Sequence, residues 1–186
     1  MKNLEGKTVA ILATNGFEES ELKSPMTALK EAGAKVHIIS EKLGTIKAWA
    51  NGNWSNDYTV DKTINEVSES DYNALMLPGG VINPDKLRRN EDAIRFTKAF
   101  FTSKKPVGAI CHAPQILAEA DVLRGRKITS FSSIKRDMVN AGAKWEDSEV
   151  VVDEGLVTSR TPDDLPAFNS KLIEEVYEGK HELQTA

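Results

Sequence analysis

The chain has a single cysteine, Cys111, among its 186 residues. One thiol cannot form an internal disulfide, which excludes the class of small secreted domains that depend on a disulfide framework. A lone thiol is typical of the cytoplasm, where it stays reduced and available for chemistry. We therefore expect a cytoplasmic protein in which Cys111 is either a core residue or a reactive group.

Long apolar stretches are also absent. No run approaches the roughly 20 residues that a membrane-spanning helix needs, and the apolar run that follows the first residues is too short for a signal peptide. Lys and Arg (24) and Asp and Glu (28) give a formal net charge of −4, and the basic residues are spread along the chain rather than clustered. This distribution predicts neither a membrane partner nor a nucleic acid as a structural partner.

Cofactor and metal signatures are missing as well. The chain contains neither a glycine-rich dinucleotide fingerprint nor a Walker A motif, and it lacks the Gly-x-Ser-x-Gly motif of serine hydrolases. The three histidines, His37, His112 and His181, form no pair with metal-ligand spacing. We therefore expect no cofactor and no metal, and Cys111 is the strongest candidate nucleophile.

Short apolar runs alternate with amphipathic helical patterns along most of the chain. The apolar runs cover residues 8–13, 35–40, 74–77 and 107–110. Such runs are typical of strands buried on both faces of a parallel sheet. The alternation predicts one α/β domain over residues 1–186, a three-layer α/β/α sandwich on a mostly parallel sheet, with 180–186 as a loose, polar tail.

Residues 41–61 interrupt this alternation because they lack helical periodicity. Asn51 and Gly52 are a turn signal, so this segment is interpreted as a β-hairpin or an irregular excursion. Trp49 and Trp54 lie on either side of that turn. Packing within the fold is the favoured role for these tryptophans, and lining a pocket is the alternative.

The segment 107–114 predicts a strand, a tight turn and a helix, with the thiol of Cys111 at the apex. Pro114 suits the first turn of a helix. Backbone N–H groups at a helix N-terminus favour a thiolate over a thiol. The alternative is a buried core cysteine beside a surface histidine, since free cysteines are often buried.

Three segments are expected to meet at one sheet edge, because the carboxyl ends of parallel strands lie together. They are residues 14–19, the pair Gly79 and Gly80, and the pair Cys111 and His112. The double glycine presents bare N–H groups, so Gly79 and Gly80, together with the N–H of His112, could stabilise an oxyanion. A glutamate of the first segment, Glu18 or Glu19, could reach the thiol; beside a thiolate it would be protonated.

Five segments resemble one known family over nearly the whole chain. They are F-E-E-S-E-L (17–22), L-P-G-G (77–80), A-I-C-H-A-P-Q-I-L (109–117), L-R-G-R-K-I-T-S (123–130) and V-V-V-D…L-V-T-S-R-T-P-D-D-L-P-A-F (150–168). The chain resembles the ThiJ/PfpI family, in its PfpI-type branch of intracellular cysteine peptidases and stress proteins, within the class I glutamine amidotransferase-like superfamily. The resemblance implies a flavodoxin-like sandwich with a nucleophile elbow at Cys111.

The resemblance also implies roles for individual residues. Cys111 matches the nucleophile and His112 its adjacent partner. Glu18 matches the acid beside the thiol, in preference to Glu19 and Glu21.

A further acid of PfpI-type members comes from a neighbouring subunit, and the matching residue here is Asp85. This match implies a homodimer or a higher homo-oligomer in which Asp85 completes the neighbouring site. The sequence departs from the family pattern at Ala113, where Gly is common, and at Phe131, where some members have Tyr.

Two classes of function follow from the resemblance. The first is an enzyme whose thiolate attacks a carbonyl, either to hydrolyse peptides or to convert small aldehydes of the methylglyoxal type and remove their glycation adducts. The second is a stress protein without turnover. In that class Cys111 would be a redox sensor, with Glu18 hydrogen-bonded to the oxidised sulfur, or the protein would act as a chaperone through its surface.

Overall fold

The computed structural model describes residues 2–186. Its strands are β1 (Thr8–Leu12), β2 (Phe17–Glu18), β3 (Lys35–Ser40), β4 (Gly44–Ala50), β5 (Asn53–Val60), β6 (Lys62–Thr63), β7 (Ala74–Leu77), β8 (Val107–Ile110), β9 (Lys127–Ile128), β10 (Lys144–Trp145), β11 (Val151–Asp153) and β12 (Leu156–Ser159). Its α-helices are α1 (Glu19–Glu31), α2 (Ile82–Leu87), α3 (Glu91–Thr102), α4 (Pro114–Glu119), α5 (Lys135–Asn140) and α6 (Leu165–Glu178). Short 3₁₀ turns precede α5 and α6.

A seven-stranded sheet with the order β11-β12-β8-β7-β1-β3-β6 forms the centre of the fold. Neighbouring strands are parallel except for the edge pair of β11 and β12. The inner strands are buried on both faces, which is why their sequences are continuous apolar runs. This arrangement confirms the predicted flavodoxin-like sandwich and its mostly parallel sheet.

Side chains of β1 alternate between two hydrophobic cores because successive residues of a strand point to opposite faces. Ala10 and Leu12 pack in the core beneath α3, α4 and α5. Val9 and Ile11 pack in the core beneath α1 and α6. The helices therefore cover both faces of the sheet and leave its carboxyl edge open to the connecting loops.

The predicted hairpin is present in the segment 41–61. β4 and β5 pair antiparallel, and the turn residues Asn51 and Gly52 have φ of 52° and 77°. Trp49 and Trp54 face each other across the hairpin, with ring centroids 5.4 Å apart and planes at 84°. β4 also pairs with β2, which brings Trp49 to the carboxyl edge of the main sheet.

The C-terminal segment packs against the body of the protein instead of forming the expected loose tail. The His181 N–H donates to the Lys104 carbonyl at 2.9 Å, and the Arg126 guanidinium donates to the Thr185 carbonyl at 2.5 Å. Gln184 is only 2% exposed. The polar composition of the tail does not reveal these contacts, because they are made by backbone groups of His181 and Thr185. Within residues 2–186, no helix has the length and apolar character needed to cross a bilayer.

Candidate active site

Cys111 lies in a sharp turn between β8 and α4, which confirms the predicted elbow. Its φ is 63°, a left-handed conformation that costs a residue with a side chain about 1–2 kcal/mol. Two hydrogen bonds hold the turn: the Cys111 N–H donates to Ser159 at 3.0 Å, and the Phe131 N–H donates to the Cys111 carbonyl at 2.9 Å. Ala113 is in the right-handed helical region at φ −56°, so the turn does not require glycine there.

His112 contacts the thiol directly. Its Nδ1 lies 3.2 Å from Cys111 Sγ, and its Nε2 lies 3.1 Å from Ser133 Oγ. The ring stacks on Phe131 with centroids 4.7 Å apart. Burial lowers the pKa of His112, so the imidazole is neutral at neutral pH and the Ser133 hydroxyl orients it. No local pattern links Ser133 to His112, because the two residues are 21 positions apart and meet only in the tertiary structure.

Glu21 is the acid beside the thiol. Its side chain is fully buried in the first turn of α1, and Oε2 accepts a hydrogen bond from the Gly79 N–H at 2.9 Å. Burial raises the pKa of Glu21 to about 8, against an ordinary value of 4.5, and the nearby Cys111 thiol acts in the opposite direction. The other oxygen, Oε1, is buried without a hydrogen-bond partner. At neutral pH the carboxyl group is therefore protonated and lies against the sulfur.

Glu18, the acid predicted at this position, instead lies further out in the same cavity. It immediately precedes α1, its side chain is partly exposed, and its Oε1 accepts from the Ser20 hydroxyl at 3.5 Å. Helical side chains tilt toward the helix N-terminus, so Glu21, one turn into the helix, points back to the strand ends. Glu19 turns away and accepts hydrogen bonds from β5, including one from Tyr58 at 2.9 Å.

The two glycines have different positions relative to the thiol. Gly79 donates its N–H to Glu21, so it is not available to an oxyanion. A Cβ on Gly79 would lie 2.5 Å from Glu21 Oε2 and 2.8 Å from Cys111 Cβ, which explains the need for glycine. Gly80 has φ 75°, and its N–H and that of His112 are directed at the sulfur and act to lower its pKa. Of the predicted oxyanion donors, Gly80 and His112 direct their N–H groups at the sulfur, whereas the N–H of Gly79 is bonded to Glu21.

Cys111 and Glu21 titrate as a pair because both are buried and in contact. Burial raises the pKa of the Cys111 thiol, and a negative charge on Glu21 raises it further. Two adjacent buried acids do not ionise together easily. When Glu21 holds the shared proton, its O–H can donate to the sulfur and the sulfur can carry the negative charge.

These groups open into a cavity of about 490 Å³. The cavity is lined by Glu18, Glu21, Trp49, Gly80, Val81, Ile82, Cys111, His112, Phe131 and Pro162. Most of the lining is apolar, so water is poorly accommodated next to the thiol. Trp49 thus lines the pocket, whereas Trp54 packs against Trp49 and is 49% exposed.

A larger and more open cavity of about 670 Å³ lies at the carboxyl ends of β1 and β3. Its lining is mainly polar and includes Thr14, Glu41 and Arg89. Neither Cys111 nor His112 contributes to it. We therefore assign the chemistry to the smaller cavity, where the thiol is.

Asp85 lies outside the thiol cavity of its own chain. It is on the exposed face of α2, while its neighbours Asn83 and Pro84 are buried. Within one chain, Asp85 is therefore not among the groups that surround His112. Its predicted role depends on a second copy of the chain and stays a prediction.

The fold, the elbow and the buried glutamate can be compared with known proteins. A family model described as the DJ-1/PfpI family matches residues 7–175. The chain belongs to the DJ-1/PfpI family. This result confirms the resemblance found in the sequence motifs.

Two curated relatives and one solved structure illustrate the similarity. General stress protein 18 of Bacillus subtilis is 50% identical and covers 90% of this chain and 96% of its own length. Protein/nucleic acid deglycase 2 of Escherichia coli is 48% identical with the same coverage of 90% and 96%. A two-domain protein of Anabaena variabilis with DJ-1/ThiJ/PfpI-like and ferritin-like domains superposes with a TM-score of 0.87 at 37% identity, over 91% of this chain and 48% of that chain.

The buried carboxyl of Glu21 predicts a specific pH dependence of stability. The folded protein keeps the Glu21 proton up to about pH 8, whereas the unfolded chain releases it near the ordinary value of 4.5. The folded state thus binds more protons in this window, so stability decreases as pH rises, by up to about 1.4 kcal/mol per pH unit. Glu21→Gln lacks this loss and should become progressively more stable than the wild type between pH 5 and about pH 8.

Thermal unfolding at pH 5, 6, 7 and 8 (roughly spanning the two pKa values) would measure this difference. Glu31→Gln, which removes an exposed carboxyl at the end of the same helix, is the matched control and should follow the wild type. A constant difference between Glu21→Gln and wild type at every pH would contradict the raised pKa of Glu21.

Proposed function

We propose that this protein uses Cys111 to convert small 1,2-dicarbonyl compounds of the methylglyoxal type and to remove the adducts that they form on amines and thiols. The observation that carries the proposal is the convergence of the thiol, the protonated carboxyl of Glu21 and the neutral His112 in one apolar cavity. Relatives named for deglycase activity and for general stress support the same class of substrate. For this function we also propose a cytoplasmic location, because the chemistry needs a reduced thiol.

The first step would form a bond between sulfur and the aldehyde carbon. His112 Nδ1, 3.2 Å from the sulfur, accepts the thiol proton when its Nε2–H donates to Ser133. The thiolate adds to the aldehyde, and the N–H groups of Gly80 and His112 stabilise the oxyanion that develops. Return of the proton to that oxygen gives a hemithioacetal. An adduct on an amine or thiol enters at the same point, with the amine or thiol as the leaving group.

The second step would be an internal oxidation and reduction. A base removes the hydrogen from the former aldehyde carbon, and a proton is delivered to the neighbouring carbonyl carbon through an enediol. The aldehyde carbon is thereby oxidised to a thioester and the ketone carbon is reduced to an alcohol. Water then cleaves the thioester, which releases a 2-hydroxy acid and restores the thiol. The balance needs no external oxidant, and Glu21 and His112 are the groups placed to move the protons.

The cavity favours a small substrate over a peptide as the main target. Its volume of about 490 Å³ lies within the range of sites for small molecules. Trp49, Phe131 and Pro162 enclose it with apolar surface, whereas a peptide backbone needs polar partners on both sides of the scissile bond. Peptide hydrolysis is therefore the secondary enzymatic activity to be tested.

Replacement of individual cavity residues should separate their roles. Cys111→Ser should lower the release of 2-hydroxy acid from methylglyoxal by at least ~10³-fold, because the nucleophile is lost. Glu21→Gln should lower kcat by roughly 10²-fold, because the carboxyl can no longer exchange a proton. Glu18→Gln, a neighbouring glutamate in the same cavity, is the matched control and should keep activity within about threefold.

The assays would follow 2-hydroxy acid formation, release of free amine from a methylglyoxal adduct, and cleavage of a fluorogenic peptide. Protein concentrations are matched by absorbance, circular dichroism confirms that each variant is folded, and thiol titration is applied to the variants that keep Cys111. Equal rates for the wild type and Cys111→Ser on all three substrates would refute the enzymatic proposal. If only the peptide is turned over, and only when Cys111 is present, the protein is a peptidase and not an enzyme of dicarbonyl compounds.

We further propose that Asp85 of one copy completes the site of another copy in a homodimer or larger homo-oligomer. The support is its exposed position on α2, adjacent to Val81 and Ile82, which line the cavity mouth. Asp85→Asn should lower kcat/KM about tenfold without changing the rate at which Cys111 reacts with iodoacetamide. Light scattering would establish the assembly, and a fully active monomer would exclude this arrangement.

The same contact between Glu21 and sulfur favours a second candidate function, redox sensing. Peroxide oxidises the thiolate to a sulfenic acid and then to a sulfinic acid, with one water released at each step. A protonated carboxyl at the Glu21 position can donate to a sulfinate oxygen and stabilise it.

Mild peroxide treatment should therefore add two oxygen atoms to Cys111 in the wild type, as measured by mass spectrometry. Glu21→Leu should instead stop at a sulfenic acid or proceed to the sulfonic acid, since the donor is gone. Glu18→Leu is the matched control and should behave like the wild type. An unmodified thiol in the wild type would rule out the sensor function.

A further inference from the structure

A group of polar side chains lies at the C-terminal end of α6, where the family match ends at residue 175. Glu175 and Glu178 occupy the same face of the last helical turn because they are three residues apart. Gly179, with φ 90°, then reverses the chain. As a result the His181 ring returns over the helix, with its Nε2 3.1 Å from Glu175 Oε2.

Several of these groups are buried without hydrogen-bond partners. Glu175 is 7% exposed, and its one ion-pair partner within residues 2–186 is His181. The approach of His181 to Glu175 does not have hydrogen-bond geometry, so the His181 Nε2 is buried and unsatisfied. Both amide atoms of Gln184, a residue that is 2% exposed, also lack partners in the described chain.

Gln184 lies beside the same histidine. The Gln184 Oε1 and the His181 Cδ2 are 3.1 Å and 2.7 Å from the point where a Cβ on Gly155 would be. Buried polar groups without partners cost free energy and are uncommon in native proteins. The unsatisfied Nε2 of His181, 3.1 Å from the buried carboxylate of Glu175, indicates that a further component binds between them.

We propose that Glu175, Glu178 and His181 bind one Zn²⁺ ion, which fixes the C-terminal segment to α6. One ligand atom from each residue lies within 4.8 Å of the others. Bonds of about 2.0–2.2 Å in a tetrahedral zinc site place the ligand atoms about 3.3 Å apart. The Glu175 and His181 atoms already have that spacing, and the exposed Glu178 side chain is free to close the remaining distance.

The chemical types of the three ligand atoms indicate which metal ion would bind. One imidazole nitrogen with two carboxylates suits Zn²⁺, whereas Mg²⁺ and Ca²⁺ prefer oxygen ligands throughout. Three protein ligands leave the fourth position to water on the side of Glu178. The expectation of no metal rested on the spacing of histidines, and this group contains only one. The alternative is a metal-free ion pair between protonated His181 and Glu175, which the experiment below distinguishes.

The test is zinc binding by the full-length chain, measured by isothermal titration calorimetry with ZnCl₂ in a Cys111→Ser background that removes the competing thiol. One equivalent of Zn²⁺ should bind. His181→Ala and Glu178→Gln should each weaken the affinity by at least about tenfold. Glu174→Gln is the matched control, because this adjacent carboxylate of α6 pairs with Lys171 and should leave binding unchanged. Circular dichroism confirms that each variant is folded. Because the Glu178 side chain is exposed, its replacement leaves no cavity and no unpaired group in the core.

A second measurement tests whether Zn²⁺ holds the C-terminal segment against α6. Lys180 is exposed and lies between two of the ligands, so trypsin cleavage after Lys180 should slow when Zn²⁺ is added. The slowing should be absent in Glu178→Gln and retained in Glu174→Gln. Unchanged zinc affinity in His181→Ala, or no binding in the parent, would overturn the proposal and leave the ion pair. Neither readout depends on the activity of Cys111.

Discussion

The contact between the buried carboxyl of Glu21 and the Cys111 thiol is the interaction on which the site depends. It joins three elements that are far apart in the chain: α1, the loop after β7 and the turn after β8. The Gly79 N–H fixes one carboxyl oxygen, which leaves the other for the sulfur. Because water is largely excluded, the pKa values of both groups are raised, and the first proton that leaves the pair decides which of the two groups carries charge. The neutral imidazole of His112 adds no charge of its own to this pair.

The parallel sheet makes this contact possible. The order of β1, β7 and β8 places the ends of consecutive apolar runs side by side, so each loop adds one component to the same edge. The short pairing of β2 with β4 then brings the hairpin over the edge, and Trp49 becomes a wall of the cavity. A segment that looked like an irregular excursion therefore has a direct part in enclosing the thiol.

The sequence predicted the sheet, the elbow and the convergence of the loops because these follow from apolar runs, glycines and the geometry of parallel strands. It favoured Glu18 over Glu21 as the acid beside the thiol, and the structure has Glu21 there, since that choice depends on the direction of side chains in the first helical turn. It also assigned Gly79 to an oxyanion, although its N–H is used by a buried carboxyl that no local pattern reveals. Ser133 and the docked C-terminal segment were missed for the same reason: their partners are distant in sequence. Local chemistry identified Cys111 as the candidate nucleophile, whereas its surroundings required the tertiary structure.

The left-handed backbone at Cys111 places reactivity and thermodynamic stability in opposition. A side chain at φ 63° costs about 1–2 kcal/mol, and the buried acid pair adds a desolvation penalty. Glycine at the same position would relieve the backbone cost, because it adopts this φ freely, and it would remove one of the two buried acids. Selection for stability alone would therefore eliminate the nucleophile. The two well-packed cores on either side of the sheet supply the margin that allows the strained thiol to persist.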